Sequence, residues 1–270
     1  MKANFYKIKC ITNMHMGSGD INFNIIDNEV QRDPVTGLPT MFSSGVKGAF
    51  REHFEKCKAM EKETTDIFGS AKGDSSTPGK LKFLSGSLLF LPVRASKGNQ
   101  AYCMVTTKTM LNQFNDLYRT ITGDSYIAAD LLDSIDMAKT YGKENVEVDG
   151  IKTENKEMNN QQSSFLKALL GDDAEKAFIM TDSDMKSINL PVLARNQLEN
   201  GISQNLWYEE VVPHEAIFYT AVLSDGTESG DVALDDFDKY ISKNNLVQFG
   251  GNASIGYGLT QIARLNKEAE

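Results

Sequence analysis

The chain has 270 residues, of which 40% are apolar and 24% charged, and carries a net charge of −9, the make-up of an ordinary soluble globular protein. No stretch is apolar enough to cross a bilayer, and the N-terminus lacks the hydrophobic segment of a signal peptide. Three scattered cysteines, Cys10, Cys57 and Cys103, exclude a disulfide framework and point to reduced thiols in the cytoplasm.

The acidity is regional. Residues 1–58 hold 8 basic and 6 acidic side chains, as do residues 59–129, whereas 130–185 hold 6 and 13, and 209–240 hold 1 and 9. A polyanion bound by the N-terminal part and the C-terminal loop is therefore compatible with the overall charge.

Residues 5–12 alternate as a first strand. They lead into the glycine-bearing loop His15-Met16-Gly17-Ser18-Gly19-Asp20, a polar segment through Asp27 to Asp33, and the turn Pro34-Val35-Thr36-Gly37-Leu38-Pro39. Ser43 or Ser44 is an N-cap candidate for a helix reaching about Met60, with Lys47 and Arg51 one turn apart near its start. Such a helix N-terminus is a ready anion site.

Residues 64–80 read as a mobile glycine-rich loop. Strands follow at 81–93, turning near Ser85-Gly86, and at 101–108. Helices are expected at 110–121, 126–139 and 164–178, with Asp172-Asp173 as a break, and polar loop at 144–162. Residues 188–212 carry a hairpin pattern with the Asn200-Gly201 signal of a tight turn. A strand over 215–223, a helix over 234–244 and a closing loop between two apolar segments complete an α+β order.

In the closing loop, Gly250, Gly251, Gly256 and Gly258 lie within nine residues, together with Ser254 and Tyr257. Glycines permit positive φ and close approach, and free loop N–H groups can cradle a phosphate. The loop lacks the Lys-Ser/Thr of a Walker A motif, and it comes too late in the chain for a dinucleotide fingerprint. A plain glycine-rich hairpin is the alternative. His53 and Cys57 share a helix face, but no second pair at ligand spacing accompanies them to build a zinc site.

Several segments together resemble one family. They are His15-x-Gly17-Ser18-Gly19, Ile26-Asp27-x-x-Val30-Gln31-Arg32-Asp33, Gly37-Leu38-Pro39, Ser43 to Arg51, Leu206-Trp207-Tyr208-Glu209-Glu210 with Pro213, and Phe249-Gly250-Gly251-x-x-Ser254-Ile255-Gly256-Tyr257-Gly258. In this order they resemble the RAMP superfamily of CRISPR proteins. Within it they are similar to the family of the repeating backbone subunit, the fourth Cmr subunit, of type III-B effector complexes. Residues 60–180 contribute little to the likeness.

The resemblance implies a single domain over 1–270 with a ferredoxin-like (RRM-type) palm. Helical and loop insertions would fill about 60–180, and a protruding β-hairpin thumb about 188–212. It also implies copies stacked in a helical filament along a guide crRNA, with other Cmr subunits, cutting single-stranded target RNA at regular intervals. The family's essential acidic residue matches Asp27, which would hold a divalent metal, Mg2+ or Mn2+, at the scissile phosphate or accept a proton. His15 is a candidate phosphate contact or proton-transfer group. Glu209 and Glu210 are further metal or proton-transfer candidates.

Contacts to RNA fall to Gly17, Ser18, Gln31, Arg32, Ser43, Ser44, Lys47, Arg51, Arg195, Trp207, Gly250, Gly251, Ser254, Gly256, Tyr257 and Gly258. Trp207 and Tyr208 suit base stacking or packing within the thumb. Two alternatives stay open: a scaffold that binds crRNA without cutting, and a small-molecule enzyme using the glycine loop for phosphate.

Overall fold

The computed structural model describes residues 1–19, 25–57, 60–72, 75–137, 140–141, 146–151, 155–156 and 159–266. Asp20, named in the sequence reading, and parts of the segments 64–80, 126–139 and 144–162 lie outside them. The chain forms two compact units, Met1–Leu88 with Leu190–Glu270, and Leu89–Asn189.

The first unit opens with β1 (Ala3–Cys10), β2 (Thr40–Met41), α1 (Ser43–Glu55), α2 (Glu61–Phe68), the hairpin β3 (Gly69–Lys72) and β4 (Ser75–Pro78), and β5 (Leu81–Phe83). β6 (Gly86–Lys97) carries the chain into the second unit. There follow β7 (Tyr102–Thr107), α3 (Lys108–Thr122), α4 (Ala129–Asp133), the two-residue strands β8 (Thr140–Tyr141), β9 (Glu147–Val148) and β10 (Asn155–Lys156), α5 (Asn160–Leu170), β11 (Ala177–Met180) and α6 (Asp182–Ser187). The chain returns to the first unit with β12 (Val192–Glu199), β13 (Ile202–Glu210), β14 (Ile217–Ser224), α7 (Glu228–Lys243), β15 (Leu246–Gln248) and β16 (Leu259–Arg264).

In the first unit β1 lies between β14 and β16, pairing antiparallel with both (Ile8 opposite Phe218 and Ile262). β5 adds to the far side of β14, and β15 to β16. The strand order β5-β14-β1-β16, with α1 after β1 and α7 after β14, is the ferredoxin-like palm. β14 is buried along its whole length, so both of its faces are largely apolar. α1 and α7 contribute Phe50, Phe54 and Phe237 to one aromatic cluster with Phe68, Phe83 and Phe249. α7 starts earlier than expected because Thr227 caps it, accepting from the Gly230 N–H, and Glu228 and Asp231 favour its first turn.

Local expectations fail where packing overrides them. α1 ends at Glu55 instead of near Met60, and its N-cap is Phe42, without a side-chain cap from Ser43 or Ser44. The expected mobile loop over 64–80 holds α2 and the β3–β4 hairpin. Phe68 stacks on Phe83 there, and a Cβ on Gly79 would lie 2.4 Å from the Ile67 carbonyl oxygen. These glycines permit close packing. Ser85-Gly86 is not a hairpin turn, since β5 pairs with β14.

The second unit joins β7 to β6 antiparallel and to β11 in parallel. The helix expected at 126–139 shortens to α4, and the Asn115 side chain accepts the Ile127 N–H just before it. α5 starts at an Asn159/Gln162 capping box and stops at Gly171 (φ +63°), after which a 3-10 turn leads to β11.

Candidate nucleic-acid interface

β12 and β13 form the hairpin, turning through Asn200 (φ +51°) and Gly201 (φ +79°), both left-handed as a tight two-residue turn demands. Its strands are exposed or half-buried until the last two residues of β13. From Tyr208 onward this root holds remote segments together. The Tyr208 carbonyl accepts the N–H groups of Asp27 (3.1 Å) and Asn28 (3.2 Å), and the Tyr208 N–H donates to Asp27 Oδ2 at 2.7 Å. Asp27 is exposed, and its Oδ1 accepts no hydrogen bond among the described residues.

Glu209 and Glu210 face inward. Glu210 accepts from the Val30 N–H (3.1 Å) and from Arg32 Nη2, while Arg32 Nη1 donates to the Gly37 carbonyl. Glu209 is 2% exposed and accepts from Asn252 Nδ2 at 2.6 Å. Both carboxylates are thus buried, Glu210 with both oxygens hydrogen-bonded and Glu209 with one. His15 Nδ1 lies 2.8 Å from the Glu210 carbonyl, which can only accept, so that nitrogen carries the proton.

The glycine-rich loop joins β15 to β16 beside this root. A Cβ on Gly250 would lie 2.3 Å from the His15 carbonyl oxygen and one on Gly258 1.8 Å from that of Phe249, so these two glycines serve protein packing. The N–H groups of Gly251, Ile255, Gly256, Tyr257 and Gly258 are taken up internally. Those of Asn252, Ala253 and Ser254 donate to nothing among the described residues and are exposed, which narrows the candidate anion cradle to this exposed turn. Sequence reasoning missed Asn252 and also Asn13, whose carbonyl accepts from Gly258 and whose side chain accepts from the His214 N–H. The left-handed φ of +63° at Asn252 is a conformation asparagine tolerates, and Gly-Gly-Asn is its only sequence signal.

Phe50, one turn beyond Lys47, packs edge-on against Phe249 just before the glycine loop, 5.4 Å between centroids. The two remote segments therefore lie together in one unit. Lys47 has no partner among the described residues, and Ser43, Ser44 and Gly45 are exposed at a helix start with no capping side chain or acidic residue. Arg51 is occupied by Glu55 at 2.7 Å. Gln31 accepts from the Phe42 N–H and donates to the Gly17 carbonyl, tying the helix start to the first loop. Ser18 donates its N–H to the Glu29 carbonyl. Arg195 donates to the Tyr257 hydroxyl at 3.1 Å, and Trp207 lies opposite Arg195 in the hairpin register.

Among the described residues no group of three or more His, Cys, Asp or Glu side chains could hold a metal ion. The free Oδ1 of Asp27 fits one ligand position of a hard divalent cation whose remaining ligands come from phosphate and water. His53 is taken up by the Asn244 carbonyl, and Cys57 forms no disulfide and meets the Tyr240 side chain.

The palm, the hairpin and the glycine loop between β15 and β16 define a ferredoxin-like palm-and-thumb protein. The model of the RAMP superfamily matches residues 7–261, and the chain belongs to that superfamily. It is similar to the CRISPR system Cmr endoribonuclease Cmr4 of Pyrococcus furiosus, at 27% identity over 290 aligned residues that cover 97% of this chain and 95% of the relative. Its fold matches a chain of the type III-B Cmr-beta complex bound to cognate target RNA, with a TM-score of 0.81, 21% identity and 98% of both chains covered. It also matches oligomeric Cmr4 from Pyrococcus furiosus, with a TM-score of 0.74, 20% identity and 98% of both chains covered. No helix among the described residues is long and apolar enough to cross a membrane.

Proposed function

We propose that the chain is a crRNA-binding backbone subunit of a type III-B CRISPR effector complex, repeated along the guide beside other Cmr subunits in the cytoplasm, and that it cuts complementary target RNA at regular intervals. The observation that carries this reading is Asp27, an exposed carboxylate pinned by one oxygen to the hairpin strand. It stands in the same unit as unneutralised Lys47, the open start of α1 and the free amides of 252–254. The similarity to a relative named as a Cmr endoribonuclease supports it.

Lys47, the α1 N-terminus and the amides of 252–254 bind guide phosphates, so recognition ignores sequence and base pairing supplies specificity. The hairpin displaces a nucleotide and frees the target sugar-phosphate from A-form geometry. Its 2′-oxygen then attacks the adjacent phosphorus in line, and the bond to the 5′-oxygen breaks, leaving a cyclic phosphate and a 5′-oxygen that takes a proton from water to become a hydroxyl. Asp27 Oδ1 is the group placed to accept the 2′-OH proton or to hold a divalent cation. A bound cation would stabilise charge on the phosphoryl oxygens. Tyr208 fixes the carboxylate by taking up Oδ2.

The test assembles the chain on a guide RNA and adds matched target with Mg2+ or Mn2+. Regularly spaced products are expected, whereas RNA binding without cleavage leaves the scaffold reading. Failure to retain RNA at low salt removes both.

A further inference from the structure

The hairpin root contains one contact left half-made. Glu209 is buried, and while its Oε1 accepts from Asn252, its Oε2 has no hydrogen-bond partner among the described residues. The nearest cation is Arg195 of the facing strand, whose Nε stops 3.9 Å from that oxygen, beyond hydrogen-bonding reach. Arg195 is held elsewhere: its Nη1 donates to the Tyr257 hydroxyl at 3.1 Å, and its guanidinium lies 5.4 Å from the Tyr257 ring centre. Because the guanidinium is a rigid plane, anchoring Nη1 on Tyr257 keeps Nε from closing on Glu209. An unpaired buried carboxylate oxygen is unfavourable, and a charge-assisted hydrogen bond is the strong way to satisfy it. His15 Nδ1, the other titratable neighbour, lies 3.6 Å from Oε1 and already donates to the Glu210 carbonyl.

We propose that Arg195 exchanges partners. It holds Tyr257 while the glycine loop is empty, and it closes on Glu209 Oε2 once a ribonucleotide takes the Tyr257 hydroxyl or ring. Loading the loop thereby stiffens the hairpin root, and with it Tyr208, which holds Asp27. This exchange rests on the glycine loop being an RNA site and adds a regulation of that site. Arg195 and Glu209 act as positioning residues, coupling occupancy of the glycine loop to the placement of the Asp27 carboxylate.

The test is hydrogen exchange of the full chain, read on peptides covering the hairpin root, with and without a single-stranded RNA probe. In the parent chain, RNA should slow exchange there by roughly threefold to tenfold, the range of one net hydrogen bond gained. Tyr257→Phe, which removes only the hydroxyl, should show the slow exchange before RNA is added and gain little from it. Glu209→Gln should still bind RNA, measured by anisotropy, but show no slowing at the root. The exchange is overturned if RNA-free Tyr257→Phe behaves like the parent, or if Glu209→Gln slows normally on binding. If the parent chain binds no RNA, the reading of the loop as an RNA site fails separately, and the RNA-free Tyr257→Phe comparison still decides the exchange. The same comparison decides it if Glu209→Gln does not fold.

Discussion

The unit formed by residues 1–88 and 190–270 closes β1 against β14 and β16, strands more than two hundred residues away in the chain, and seals them with aromatic rings from α1 and α7. The unit formed by residues 89–189 is contiguous, and β7 reaches its parallel neighbour β11 through α3 and the segments after it. Ion pairing is common to both: Arg94, Lys97, Arg119 and Lys176 stand beside carboxylates in the second unit, as do Lys9, Arg32, Lys80 and Arg264 in the first, where Lys47 is an exception at the open start of α1. Every residue proposed for RNA binding or cleavage lies in the first unit. Bringing remote segments together lets one unit gather backbone donors, a cation and a carboxylate from different parts of the chain, and a contiguous unit has less means of doing so.

The sharpest way to break this contrast is Asp27→Asn, which keeps an acceptor for the Tyr208 N–H but removes the charge. Cleavage by the assembled complex should fall by about 10²–10⁴-fold, the range of a lost acid–base group, with RNA binding retained. Undiminished cleavage would move the chemistry out of the first unit.

Paired core truncations come next. Phe50→Ala and Phe114→Ala should each cost about 3–5 kcal/mol in denaturant unfolding. Under conditions where both variants are still folded, Phe50→Ala alone should weaken RNA binding, because Phe50 seats α1 against Phe249. Equal weakening by both would show that the units do not divide the function.

Lys47→Glu should reduce RNA affinity roughly tenfold and lower the slope of log affinity against log salt by about one. An unchanged slope would remove Lys47 from the interface.

The smallest effect concerns pH. Burial lowers the His53 pKa below its ordinary value, despite its contact with the Asn244 carbonyl. The folded state therefore favours the neutral ring, so this contribution to stability is present above the unfolded pKa of about 6.5 and is lost as pH falls through the folded value. Urea midpoints should drop on acidification, and less so in His53→Gln. Identical pH profiles for the two would exclude that ring as a source.

Thiol labelling separates the units directly. Burial pushes Cys10 up to about 12 and Cys103 up to about 11, so native alkylation near neutral pH should reach Cys57 first. Rising denaturant should expose Cys10 and Cys103 at the midpoints of their own units, and one shared midpoint would mean that the units unfold together.

Several features were legible in the amino-acid sequence because local chemistry dictates them. Asn200-Gly201 requires left-handed backbone and so marked the hairpin, and the alternation within residues 5–12 marked β1, whereas Asp27 was singled out only by its match to the family's pattern. Only the tertiary structure decided that Glu209 and Glu210 turn inward, that Arg32 is spent on Glu210, and that Gly250 and Gly258 are glycines for contact with the chain's own carbonyls. Sequence patterns report which groups are present and which backbone conformations they permit. Which partner each buried polar group finds depends on segments far apart in the chain, and folding alone brings those within hydrogen-bonding distance.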